Sequence, residues 1–191
     1  MGPTNGDQTP IMIFWRLCFV FFLLSLSARA QSGGAGISQM TRLGNMMVGD
    51  WKTVEVVQHG KPVPKNAGRQ GIVRVRLAGG GTVLVSEGHS QGSVGGDLRW
   101  LITTWWDPSA NCYRLLVCFA TPASAGCELR GTARWEGEKF VNTYEEMING
   151  KPTKMQDIWS DVRPNSHTLT AARDIGNGVM VPYVVSHETR R

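Results

Sequence analysis

Much of the vocabulary of catalysis is missing from this 191-residue chain. It has no C-x-x-C, which removes the redox and zinc readings that such a pair supports. It has no H-E-x-x-H and no cluster of metal ligands, so no metal centre is expected. Ser86 and Ser90 lack a G-x-S-x-G context, which excludes the nucleophile elbow of an α/β-hydrolase. "AGGGT" at 78–82 lacks the lysine and the following helix of a phosphate loop and reads as a turn. Carboxylates are present without a catalytic arrangement. Asp157 and Asp161 would share a strand face with Met155 and Trp159, while Glu145 and Glu146 would face opposite sides. On these grounds no catalytic residue, metal or cofactor is assigned, and the chain is not read as an enzyme.

Long basic runs are absent too. The 20 basic residues exceed the 15 acidic ones and give a net charge of +5. They occur singly or in pairs, such as Arg74 with Arg76 and Arg190 with Arg191. A solvated surface explains that pattern, and no nucleic-acid partner is expected. One long apolar stretch occurs, Ile11 to Leu26, interrupted by Arg16. It falls short of the ~20 residues that span a bilayer. Leu17 to Leu26 has the length of a signal-peptide core, and Ala28-Arg29-Ala30 is an A-x-A cleavage pattern. Cys18 lies inside the run, which does not suit a lipoprotein box. Residues 1–30 are therefore expected to be a signal peptide. The mature chain, from Gln31, is expected to be secreted or periplasmic, with no membrane attachment after cleavage.

Three cysteines would remain, Cys112, Cys118 and Cys127. Cys118 and Cys127 flank "FATPASAG", which suits a hairpin connection, and a cross-strand disulfide can form there in an oxidising compartment. Spacing alone does not fix their distance, and one cysteine is left over in any pairing.

Beyond the leader the chain changes character once. Residues 31–42 read as a flexible linker running into a short amphipathic helix, with Ile37, Met40, Leu43 and Met47 spaced by three or four. From 43 to 191 a single domain is expected. Short β-branched and aromatic runs alternate with turn signals at intervals of roughly ten residues. The strands are placed at 51–58, 71–78, 82–87, 99–106, 112–119, 128–136, 139–148, 153–162, 168–174 and 179–188. In "GIVRVRLA", Val73, Val75 and Leu77 alternate with Arg74 and Arg76, a half-buried strand. Asn149-Gly150 is a type I′ hairpin signal. A meander of about ten strands closes most economically into an all-β, antiparallel, up-and-down barrel, because closure removes exposed edges. The short helix would cover one end.

Gly49-Asp50-Trp51, just after that helix and at the start of the first strand, resembles the lipocalin and fatty-acid-binding-protein superfamily, the calycins. Residues 43–191 more specifically resemble small bacterial lipocalin-like barrel proteins known only as a domain of unknown function. The resemblance rests on "LGNMMVGDW", "GGGTVLVSE", "WWDPSANCY", "NGKPTKMQDIW" and "ETRR". It implies a barrel whose end is closed by Trp51, and it brings no catalytic residues. Trp106 departs from the tyrosine that commonly precedes Asp-Pro in that family, and the three cysteines are a further departure.

Seven tryptophans make the remaining signal. Period two puts Trp100, Ile102, Thr104 and Trp106 on one face of their strand, the bulkier one, which should face inward. An aromatic interior with a few polar groups suits a small, largely apolar ligand. The expected lining is Trp100, Trp106, Tyr144, Trp159 and Tyr183, with Asn142 and Gln156 orienting the ligand. Two alternatives stand beside this reading. His187 shares a strand face with Val179, Val181, Tyr183 and Val185, and related ten-stranded barrels, the nitrobindins, hold haem through a histidine near the end of the chain. A haem barrel handling nitric oxide or peroxide through His187 is one alternative. A ligand-free envelope protein with a filled barrel is the other.

Overall fold

The computed structural model describes residues 34, 36–64, 67–91, 96–121 and 125–191. The proposed leader and its cleavage pattern lie outside these. Gly36–Arg191 form one compact unit. A helix, α1, spans 36–47. The strands are β1 (Gly49–Gln58), β2 (Lys61–Pro62), β3 (Gln70–Ala78), β4 (Val83–Gln91), β5 (Leu98–Asp107), β6 (Cys112–Ala120), β7 (Ala125–Glu136), β8 (Lys139–Ile148), β9 (Lys151–Arg163), β10 (Ser166–Asp174) and β11 (Met180–Arg190).

Every pairing is antiparallel, and neighbours in sequence are neighbours in the sheet, except that the two-residue β2 pairs only with β1. The sheet closes because β1 also pairs with β11, from Trp51 opposite Arg190 to Gln58 opposite Val184. The result is a ten-stranded antiparallel barrel with the short β2 attached, as the meander pattern predicts. Each long predicted strand is present. β4 runs on to Gln91, past the expected stop at 87, because Gly88 and Ser90 continue the inward face begun by Leu84 and Ser86.

Alternation is sharpest where the sequence shows it. Val73 and Val75 are buried while Arg74 and Arg76 are exposed. Arg74 reaches Asp50 at 3.1 Å across the outer face. The Asp107-Pro108 turn is tied by its aspartate, which accepts from the Ser109 hydroxyl at 2.6 Å and pairs with Arg114 at 3.0 Å. Those partners hold its carboxyl near a pKa of about 2.

One end of the barrel is plugged by α1. Met40, Leu43, Met46 and Met47 are buried there, while Ile37 is 65% exposed and does not join the core. Gly44 fits because Leu77 of β3 lies against the helix where a side chain would otherwise project. Trp51 is 1% exposed, and its indole N–H donates to the Met47 carbonyl at 2.8 Å, tying helix to strand. Arg190 from β11 lies over the same ring, 4.4 Å from its centroid, and donates to the Val48 carbonyl at 2.6 Å. Gly49 leaves the room this guanidinium needs.

Candidate functional site

The interior divides along the barrel axis. Near α1 it is filled by edge-on and tilted rings: Trp106 with Tyr113 at 5.0 Å, Tyr113 with Phe140 at 5.2 Å, Trp135 with Phe140 at 5.2 Å. The Tyr113 hydroxyl is satisfied despite its depth, donating to the Gln39 carbonyl at 2.9 Å and accepting from the Trp135 indole at 3.2 Å. Burial raises its pKa. Arg42 caps Trp135 from the helix, 4.0 Å from the ring.

The other half encloses a cavity of about 380 Å³. That lies at the lower end of the ~300–1,000 Å³ range of small-molecule pockets. Trp51 and Trp159 belong to its wall, Trp51 coming from the plugged end. One side, from β5 to β7, is almost wholly apolar: Leu98, Trp100, Ile102, Val117, Phe119 and Leu129. Trp100 reaches flat across its neighbour strand because its partner is Gly88, where any Cβ would collide with the indole.

The side facing it, from β8 to β11 and β1, carries the ionisable groups. Asp157 stands between Asn142 of β8 and Ala171 of β10 in the ladder. The Tyr144 hydroxyl donates to it at 3.4 Å. Enclosure by the barrel wall dominates, so the Asp157 pKa is pushed up to about 7, helped by the charges of Glu146 and Glu188. Burial also raises the pKa of Glu146 and those of the Tyr144 and Tyr183 hydroxyls. His167 is 3% exposed; its Nε2 meets Glu188 in a hydrogen bond, and its ring packs on Trp51 with centroids 4.2 Å apart. Its Nδ1 has no partner among the described residues. Glu55 and Arg69 form a part-buried pair at 3.9 Å. Gly68 lets the preceding loop lie directly on the β1 backbone, so that the Glu55 amide can donate to the Arg69 carbonyl at 2.9 Å.

The sequence-derived lining meets this geometry unevenly. Trp100, Tyr144, Trp159 and Tyr183 line the cavity together. Trp106 faces inward but packs in the filled half against Tyr113. Asn142 is 2% exposed, inward, and not part of the cavity wall; its side-chain oxygen has no partner among the described residues. Gln156 requires a correction. It pairs with Thr143 across the ladder, one step from the inward pair of Asn142 and Asp157, and so points away from the cavity.

His187 requires another. It is exposed, and the neighbours that enter the interior are Ser186 and Glu188. The cause is a bulge: Ala171 pairs with Val184 and Ala172 with Pro182, leaving Tyr183 as an extra residue. Tyr183 and Val184 therefore both line the cavity, and the odd-numbered face that should have carried His187 inward is inverted beyond them. The residues do not fit a haem held inside the barrel by His187. Asp161 is exposed and does not join Asp157.

His167, Glu188, Glu146, Glu55 and Arg69 are the site residues the sequence reading did not select. Only alternation hinted at them, since Glu146 shares the face of Tyr144. Among the described residues no three His, Cys, Asp or Glu side chains gather to hold a metal ion. On the wall itself, Cys118 and Cys127 are joined as a disulfide across β6 and β7, beside a register shift between Val117 and Phe119. Cys112 is free.

Comparison with known proteins adds little to this geometry. No protein-family model matches the chain, and no curated protein matches it. Among solved structures it is similar to "Crystal Structure of Rv2717c from M. tuberculosis", with a TM-score of 0.48 and 9% sequence identity. That alignment covers 80% of this chain and 96% of the other.

Proposed function

We propose that this protein is a lipocalin-like carrier that binds a small, largely apolar molecule in the unfilled half of its barrel. The observation that carries the reading is the division of the interior. Aromatic packing and α1 seal one half, while the other keeps a cavity of about 380 Å³ between an apolar wall and a polar one. A barrel serving only as a scaffold has no need of such a space, because cores otherwise pack to crystal-like density. Burial of an apolar body at ~25 cal/mol per Å² supplies affinity, and the polar wall supplies orientation. The leader-like pattern at 1–30 and the Cys118–Cys127 disulfide both support action in an oxidising, extracytoplasmic compartment.

The test is native mass spectrometry of the protein purified from its own host, together with titration by an apolar fluorescent probe. A retained small molecule that leaves on denaturation, or saturable probe binding that quenches tryptophan emission, is the expected result. A bare polypeptide mass combined with no probe binding would overturn the reading.

A further inference from the structure

We propose that the cavity selects cationic amphiphiles: a protonated amine on a compact apolar body, with the ammonium group against Asp157 and the body against Trp100 and Phe119. This rests on the binding role proposed above and gives it a ligand class.

Three features of the wall carry it. The first is segregation, because the apolar side from β5 to β7 faces a side where, among the described residues, every charge belongs to β1, β8–β11 or Arg69. The second is the sign of those charges. Glu55, Glu146, Asp157 and Glu188 line the cavity, while the only guanidinium among its described lining residues, that of Arg69, lies 3.9 Å from Glu55. An anionic ligand would meet a predominantly negative wall. The third is His167. Its Nε2 is taken up by Glu188, and its buried Nδ1 has no partner among the described residues, which leaves a polar atom on the wall for a ligand to meet. The four carboxylates give this side more acceptor sites than the donors of Arg69 and the Tyr144 and Tyr183 hydroxyls can fill. An ammonium is the converse, all donors and no acceptor. Ala171, opposite Asp157 on β10, presents only a methyl group at that register position.

Proton linkage gives an independent handle. The groups that face Asp157 are Tyr144 and Glu146 from β8 and Tyr183 and Glu188 from β11; its β10 partner, Ala171, does not titrate. With the cavity empty, Asp157 keeps its proton up to about pH 7. An ammonium beside it favours the carboxylate, so binding at pH 6 expels that proton.

The experiment uses three probes of one shape: 2-cyclohexylethylamine, 2-cyclohexylethanol and cyclohexylacetate. Affinities are read at pH 8 by calorimetry and tryptophan emission. The amine should bind at least tenfold more tightly than the alcohol, and the carboxylate at least tenfold more weakly. In Asp157→Asn the amine-to-alcohol ratio should fall towards one, with Glu146→Gln reducing it by a smaller factor. In the unmodified protein, calorimetry in two buffers of different ionisation enthalpy should show roughly one proton released per amine bound at pH 6 and none at pH 8. That last readout holds even where a variant fails to fold. An alcohol that binds as tightly as the amine, or an amine-to-alcohol ratio unchanged in Asp157→Asn, overturns the charge selectivity and leaves the carrier reading standing. Failure of all three probes to bind, together with a bare polypeptide mass in the native spectrum, overturns both.

Discussion

At the scale of single residues, Asp157 is a carboxylate that the barrel wall removes from water. In the unfolded chain it ionises near pH 4, whereas in the barrel it stays protonated to about pH 7. The folded state therefore holds more protons across that interval, and this group's contribution to stability falls as pH rises from 4 to 7. Asp157→Asn removes the slope. Relative to the unmodified protein, the variant should gain a few kcal/mol between pH 4 and pH 8, at about 1.4 kcal/mol per unit of pKa; urea denaturation across that range checks it. Gly88 makes a second prediction. A methyl group there would sit inside the Trp100 indole, so Gly88→Ala should displace the ring, cost about 1–3 kcal/mol and shift tryptophan emission. Residues of this kind were only partly legible. Period two correctly placed Trp100, Tyr144 and Trp159, but it cannot see a bulge. One extra residue at Tyr183 kept that side chain inside and turned His187 out. Gln156 lies one step out of phase with Asp157, its neighbour, which holds the inward position on that strand.

Elements were more legible than residues. Ten strands and a helix can be read from β-branched runs, turn signals and a three–four spacing, because burial on one face imposes those patterns. β2, at two residues, is too short to leave a period. In α1 the three–four spacing marks the helix, but Ile37 lies exposed at its start while Met46 completes the buried stripe. Leu43, fully buried, is the centre of that plug. Leu43→Ala should cost about 2–5 kcal/mol, measurable as a lowered urea midpoint. The β6–β7 hairpin offers a separate test. Its disulfide closes a sequence separation of 9, and replacing both cysteines by serine should cost about 2–3 kcal/mol by the loop-entropy relation. Cys118 neighbours Val117 and Phe119 of the apolar wall, so ligand affinity should weaken with it.

For the whole molecule, the decisive contact is the pairing of β1 with β11, which converts a long meander into a surface without edges. Deleting residues 180–191 should expose one edge each of β1 and β10 and yield an aggregating chain rather than a smaller barrel; size-exclusion chromatography with light scattering reads this directly. The same seam has a consequence for biosynthesis. Arg190 clasps Val48 across a separation of 142 residues. Translation delivers β1 well before β11, so every strand from β1 to β10 is synthesised before the partner that closes the barrel. Such a chain stays threadable while it grows, and its folding clock starts only when the last strand emerges.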